Sequence, residues 1–244
     1  MKKVWIDAGH GGKDPGASGN GLREKDIVLT VSLGVKEKLE REHEGVQVFL
    51  SRSTDVFLEL KERTTAANKA GADLLVSIHC NAGGGAGGFE SFRYTNALTA
   101  SRSLQNMLHT EIMAALKPFK VIDRGQKSAN LHLCRESKMP AVLTENLFID
   151  VASDATKLKR QEVIDALIAG HVAGIAKYLG LKKKNEGGAT VSDKVNVVVD
   201  GKKIKDGKLI DNVTYVPLRA VGEALGAEIG WDKGSKTATL DTKV

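Results

Sequence analysis

The chain has 244 residues, 41% hydrophobic, 27% charged and 5% aromatic, an ordinary globular composition with room for one full domain and a small second one. No apolar run approaches the roughly 20 residues that cross a bilayer, and Asp7 and His10 interrupt the stretch after Met1-Lys2-Lys3, so neither a membrane span nor a signal peptide is expected. The net charge of +6 is not gathered into a basic stripe and aromatics are scarce, which excludes the usual footprint of a nucleic-acid binder.

In chain order, a first strand is read at 3–8, where Val4-Trp5-Ile6-Asp7-Ala8 runs into Gly9-His10-Gly11-Gly12; these glycines permit a tight turn and close approach. Glu24 follows, and Val28, Val31, Val35 and Leu39, at three- and four-residue spacing, place a helix directly after it. Further strands are expected at 46–51, 73–79, 88–94, 130–134 and 140–146. Further helices are expected at about 58–70, 99–116 and 155–179, the last with an apolar stripe of Ile164, Leu167, Ile168, Val172, Ile175 and Leu179. The alternation predicts an α/β fold over 1–181, with a central mixed, mostly parallel sheet flanked by helices.

Residues 182–193 are polar, glycine-bearing and aperiodic, and read as a linker. Lys182-Lys183-Lys184 is either a solvated hinge or a contact for an anionic polymer. Residues 194–244 then read as a small α+β domain. Val195-Asn196-Val197-Val198-Val199 meets a turn at Asp200-Gly201, a short helix lies between Pro217 and Gly226, and a hairpin joins 228–231 to 237–240.

The chemistry centres on His10, Glu24, His79 and Glu145, each placed where a short strand runs out into a loop. Two imidazoles and one carboxylate are a common donor set for catalytic zinc, with a fourth position left for water. Glu145 would then be free to act as a base. Plainer readings stand beside these. A histidine at a strand end is often only hydrogen-bonded, Glu24 could serve the helix dipole, and Glu145 could pair with an arginine. His43, His109 and His171 fall in helical patterns and read as surface or packing residues, whereas His132, in a sheet-edge segment, could line the cleft. The run Gly83 to Gly88 lacks the Lys-Ser/Thr ending of a phosphate loop and reads as a flexible border to the cleft. Cys80 and Cys134 are too few for a disulfide framework and read as buried thiols; Cys80 should point away from His79 on its strand.

Ile6-Asp7-Ala8-Gly9-His10-Gly11-Gly12-Lys13-Asp14-Pro15-Gly16-Ala17, Arg23-Glu24-Lys25-Asp26, Ser77-Ile78-His79-Cys80-Asn81-Ala82 and Pro140-Ala141-Val142-Leu143-Thr144-Glu145 resemble, in this order, the zinc-dependent N-acetylmuramoyl-L-alanine amidases. Shorter matches at Leu50 to Asp55, Leu60 to Arg63, Gly88-Phe89-Glu90 and Asp123-Arg124-Gly125 extend the resemblance over about residues 2–180. Residues 194–244 resemble the copper amine oxidase N-terminal-like (stalk) domain, although with no His or Cys they imply no copper.

The resemblance implies one zinc per chain on His10, Glu24 and His79, with Glu145 as proton carrier. It also implies cleavage of the amide between the lactyl group of N-acetylmuramic acid and L-alanine in peptidoglycan. Asn81, His132 and Arg124, the last in an expected loop, are candidate substrate contacts, Arg124 having structural ion pairing as its alternative. The small domain would associate with the wall or pair two copies. The expected setting is endolysin-like release from the cytoplasm, or secretion after loss of a leader. A non-catalytic wall-binding protein and a zinc amidohydrolase of a small soluble amide are the rival functions.

Overall fold

The computed structural model describes residues 1–184, 195–204, 207–210, 213–232, 234–235 and 237–242. The chain divides into two compact units, Met1–Lys184 and Asn185–Val244.

In the first unit the strands are β1 (Lys2–Ala8), β2 (Ser18–Gly19), β3 (Leu22–Arg23), β4 (Val46–Leu50), β5 (Leu74–Asn81), β6 (Phe89–Tyr94), β7 (Asp123–Ala129) and β8 (Ala141–Phe148). The helices are α1 (Glu24–Glu42), α2 (Leu60–Ala70), α3 (Thr99–Leu116), α4 (His132–Glu136), α5 (Ala152–Leu158) and α6 (Gln161–Leu179). Six strands form one sheet in the order β4-β1-β5-β8-β6-β7. The first four are mutually parallel, and β6, with β7 parallel to it, runs against β8.

Residue alternation divides the sheet between two helical layers. Val4, Ile6, Leu74, Val76, Ile78 and Val142 pack under α1, α3 and α6 in the main core. Trp5, Leu75 and Ala141 face the other way, onto Ala67 of α2 and Leu133 of α4, in a smaller cluster. Helix α1 starts with Glu24 and Asp26, ends near Arg41, in keeping with its dipole, and buries Ile27, Val28, Val31, Val35 and Leu39. A capping box between Glu59 and Glu62 starts α2, and Gly71, at φ +62°, ends it.

The structure corrects three sequence expectations. Residues 130–134 are not a strand: α4 begins at His132 and buries the adjacent Leu133 and Cys134 together, which one turn of helix permits and an alternating strand does not. The sheet edge is instead β7, so Arg124 lies on a strand and not in a loop; the polar run DRGQKSA hides it from apolar periodicity. The expected helix at 155–179 is two helices, because Arg160 is extended between α5 and α6.

Helix α6 lies against α3 where Gly170 and Gly174 face it. A Cβ added at Gly170 would stand 2.6 Å from Ile112 Cα, and one at Gly174 2.7 Å from Leu108 Cα. His171, fully buried between them, takes the Thr144 hydroxyl at Nε2 (3.0 Å) and donates from Nδ1 to the Leu167 carbonyl (2.8 Å), and burial pushes its pKa down to about 4.

Of the expected linker, Lys183 and Lys184 belong to the first unit: Lys183 bridges His43, and Lys184 bonds the Glu42 and Glu40 carbonyls. Residues 185–193 lie outside the described residues. The second unit contains β9 (Val197–Val199) paired with β10 (Lys202–Ile204), β11 (Lys208–Ile210) with β12 (Val213–Tyr215), α7 (Leu218–Leu225), and β13 (Glu228–Asp232) with β14 (Thr237–Asp241). The Asp200-Gly201 turn, the helix exit at Gly226 and the last hairpin fall where the sequence placed them.

The close approach of α3 and α6 makes a test of this packing. Alanine at Gly170 gains about 1 kcal/mol of helix propensity but forces backbone apart at a cost of roughly 1–3 kcal/mol. Gly170→Ala is therefore expected to lower the urea midpoint; a raised midpoint contradicts the close packing.

Candidate metal centre and active site

The site forms at the ends of β1 and β5, where the chain order of the sheet reverses: from β1 it passes to β4 on one side and returns to β5 on the other. Such reversals open a crevice at the carboxyl ends of parallel strands. Gly9 lets the end of β1 lie against the His79 ring, since a Cβ there would fall 2.3 Å from Cε1. His10 then turns at φ +57°, a left-handed conformation that a non-glycine residue holds only under constraint.

Two buried arginines provide that constraint. Arg52 donates to the carbonyls of Ala8 (3.0 Å), Gly9 (2.7 Å) and Lys25 (2.9 Å). Arg63 donates to those of Ala8 (2.6 Å), His10 (2.7 Å) and Leu58 (3.0 Å), and to Asp7 Oδ1 (2.9 Å). Asp7 is wholly buried and also accepts from Ser77 (2.7 Å). Burial opposes its charge, but Arg63 and the hydroxyl outweigh it and hold its pKa below the ordinary carboxylate value.

Glu24, the first residue of α1, meets both imidazoles. Its Oε1 stands 3.1 Å from His10 Nε2 and 2.9 Å from His79 Nδ1 and accepts the Cys80 amide (3.0 Å); its Oε2 accepts the Ala17 amide (2.8 Å). One ligand atom from each of the three residues lies within 4.8 Å of the others, a grouping that could hold a metal ion. The other His10 nitrogen, Nδ1, faces Asp14 Oδ2 at 2.8 Å, the arrangement by which a carboxylate orients a metal-binding imidazole.

Charge balance shows how well the donor set suits a cation. Burial pulls His10 down, but the hydrogen bond and charge of Glu24, followed by those of Asp14, raise it to about 9. Burial also pulls His79 down, but the hydrogen bond to Glu24 and the charges of Glu145, Glu24 and Asp7 raise it, and burial of Glu24 is overcome by the two imidazoles, which hold its carboxyl far below the usual range. The pocket thus draws in positive charge, as protons or as a metal ion. Beside it, Glu145 is the β8 register partner of His79. Its Oε2 is buried without a hydrogen-bond partner, and burial, reinforced by Glu24 and Glu90, raises its pKa to about 7 against the opposing charge of His79. Among the described residues no arginine pairs with it, which removes the salt-bridge reading.

Of the other expected site residues, Asn81 is two positions beyond His79 and donates its amide to Glu90 (2.7 Å). Arg124 donates to Glu90 as well (2.8 Å), so it does take part in an ion pair. His132, at the start of α4, lies 3.4 Å from the Thr64 hydroxyl, apart from the His10, Glu24 and His79 group. Sequence reasoning missed Asp14, Glu90 and Lys127; the four-residue spacing of Asp14 from His10 was the available signal. His43, His109 and His171 are buried packing residues, His109 between Ser91 and Asp123. Both thiols are buried and free, and Cys80 faces the main core, away from His79. In the glycine run, the amides of Gly83 and Gly84 bond Asp150 and that of Gly88 bonds Asp154.

A family profile described as N-acetylmuramoyl-L-alanine amidase matches residues 4–177. The chain belongs to that family. Residues 192–244 match a second profile, the copper amine oxidase N-terminal domain. The sporulation-specific N-acetylmuramoyl-L-alanine amidase of Bacillus subtilis is 47% identical over 188 residues, 77% of this chain and 72% of that protein. The endolysin of Bacillus phage SPP1 is 49% identical over 190 residues, covering 77% and 70%. In structure, the catalytic domain of the amidase CwlV from Bacillus (Paenibacillus) polymyxa superposes with a TM-score of 0.70 at 36% identity, covering 75% of this chain and all of that one.

The metal-free amidase should hold protons where a metal would bind, because Glu24 and Asp14 push the His10 pKa up and Glu24 and Glu145 push that of His79 up. Uptake of a divalent metal at pH 7 therefore releases protons, and affinity falls as pH is lowered. Calorimetric heats that vary with buffer ionisation enthalpy show this; heats independent of buffer contradict it. Asp14→Asn is expected to weaken metal binding about 10–100-fold in chelator competition.

Proposed function

We propose that this amidase hydrolyses the bond between the lactyl carbonyl of N-acetylmuramic acid and L-alanine with one zinc ion held by His10, Glu24 and His79. The observation that carries the reading is the convergence of these three donors beside a buried carboxylate oxygen, on Glu145, that no group among the described residues satisfies. Zinc in such a site supplies a Lewis acid that polarises the carbonyl and makes water easier to deprotonate.

Glu145 does the proton work. Ionised, it takes a proton as the water oxygen bonds to the lactyl carbon; it then passes that proton to the amide nitrogen as the carbon–nitrogen bond breaks. The products are a lactyl carboxylate and a free L-alanine amine. A carboxyl displaced upward toward neutrality can both accept and return a proton. Asp14 orients His10, while Arg52 and Arg63 keep the β1 turn from relaxing. Asn81 and Arg124 act on the peptide side of the cleft; His132 is the weakest of the three substrate contacts, given its place beside Thr64.

A catalytic role is favoured over wall binding alone because donors and carboxylate are all present and assembled. A small soluble amide is the weaker alternative, since a second unit is appended to the catalytic one. For that unit we favour wall association over pairing of two copies. Its residues contain no His or Cys, and it acts by raising local concentration on the polymer. No helix among the described residues is long and apolar enough to cross a membrane.

Glu145→Gln should keep its zinc and lose about 10²–10⁴-fold in kcat on purified sacculi. A variant that lost its zinc would move Glu145 into the ligand shell. Chelators should abolish sacculus clearing, and new amino termini in the digest should be L-alanine. Truncation after Lys184 should preserve turnover of a soluble muropeptide and weaken sedimentation with sacculi; equal sedimentation, with loss of a dimer in light scattering, would make the second unit an assembly module.

A further inference from the structure

Beyond Glu145 on the same face of the sheet lies a charged cluster that takes no part in holding the metal. Glu90, on β6, is the cross-strand partner of Glu145, and directly opposed residues of an antiparallel pair put their side chains on one face. Its carboxylate is buried and receives three donors: Asn81 Nδ2 at 2.7 Å, Arg124 Nε at 2.8 Å and Lys127 Nζ. Two cations against one anion leave a net positive charge. Both cations remain open to solvent, their side chains 30% and 39% exposed, whereas the anion that holds them is sealed at 5%.

Arg124 is fixed as well as charged. Its guanidinium carbon stands 4.6 Å above the centre of the Phe148 ring, and Nη1 reaches the Gly87 carbonyl at 3.4 Å. With Nε on Glu90, its Nη2 keeps its donors free among the described residues. A guanidinium braced in this way presents a directional donor edge suited to a carboxylate.

Placement sets which part of the substrate meets it. Strands stand about 4.8 Å apart, so the cations on β7 lie roughly 10 Å across the sheet from Glu145 on β8, the span of about three residues of extended chain. On the other side of the metal donors, the cleft beside His10 and His79 has a volume of about 310 Å³ and is walled by Phe57, Leu58, Leu60 and Leu133, with Asp14, Glu59 and Arg63 also lining it. The scissile amide separates an uncharged acyl-sugar half from a peptide half that bears carboxylates. Lys13, with Nζ 4.4 Å from the centre of the Phe57 ring, is an exposed cation on that other side; the β7 side offers the carboxylates two, Arg124 and Lys127, both tied to the buried Glu90.

We propose that Arg124 and Lys127, held in place by Glu90, bind a stem-peptide carboxylate beyond L-alanine, so that the peptide runs from the metal donors across β8 and β6 toward β7. The proposal rests on the amidase reading above and adds to it the direction of the substrate and the group that recognises it. Glu90 is a positioning residue here, and Arg124 and Lys127 are binding residues.

The test uses the zinc-loaded full chain and synthetic N-acetylmuramoyl peptides in which each stem carboxylate is free or converted to a primary amide, one position at a time. One amidation is expected to raise KM roughly 10-fold or more, the scale of a charge-assisted hydrogen bond, and thereby to identify the carboxylate recognised. Arg124→Gln and Lys127→Gln should each shrink that acid-to-amide ratio, Arg124→Lys should restore part of it, and zinc affinity should not change. Equal KM for every acid and amide pair with the unmodified protein overturns the subsite without any variant. An equal loss on acid and amide forms in Arg124→Gln overturns it in favour of a structural ion pair. If none of the peptides releases an L-alanine amine, the amidase reading fails and the subsite with it.

Discussion

The Glu24 carboxylate is the point on which the rest of the site depends. Isolated burial of a charge is expensive. Here it is offset by amides from Ala17 and Cys80, by two imidazoles, and by a position at the start of a 19-residue helix, where the dipole favours an anion. Satisfying that one group fixes three segments at once: the turn after β1, the first residue of α1, and the end of β5. The short β2–β3 hairpin between them returns the chain so that α1 begins beneath the two histidines.

Backbone strain is present at the same place and is contained by buried polar contacts. His10 at φ +57° and Leu147 at φ +70° are non-glycine residues in left-handed conformations on either side of the centre. Arg52 and Arg63 hold the first through carbonyls. The second lies in a bulge, where the β8 partners of His79 and Asn81 are Glu145 and Phe148, one residue more than the partner strand spans. Side chains leave such a bulge at angles a regular strand does not provide, and Glu145 stands at its start.

Unequal helical cover explains why the chemistry lies on one face. The long helices α1, α3 and α6 seal one side of the sheet with most of the apolar core. The shorter α2 and α4 cover the other around Trp5, Leu75 and Leu133. Asp7, Ser77, His79, Glu145 and Glu90 project toward this second layer, where polar groups replace apolar ones toward the strand ends. The places of His79, Glu145 and the cationic ledge of β7 follow from that alternation and from strand order, whereas Glu24 comes from the start of α1 and His10 from the turn after β1.

Apolar periodicity and turn residues were enough to indicate the α/β class, while the resemblance carried by the ordered motifs pointed to the family and picked out His10, Glu24, His79 and Glu145; the first three do come together in the fold, with Glu145 as the register partner of His79. Local pattern failed where burial is set by distant partners. Strand β7 is polar because it is an edge, and α4 alternates like a strand although it packs as a helix. The pairing of Asp14 with His10, the clamp of Arg52 and Arg63 on the β1 turn, and the convergence of Asn81, Arg124 and Lys127 on Glu90 join elements that are mostly far apart in the chain. Only the folded sheet, by placing β5, β8, β6 and β7 side by side, decides which charges meet, since charge interaction is set by separation in space and not along the sequence.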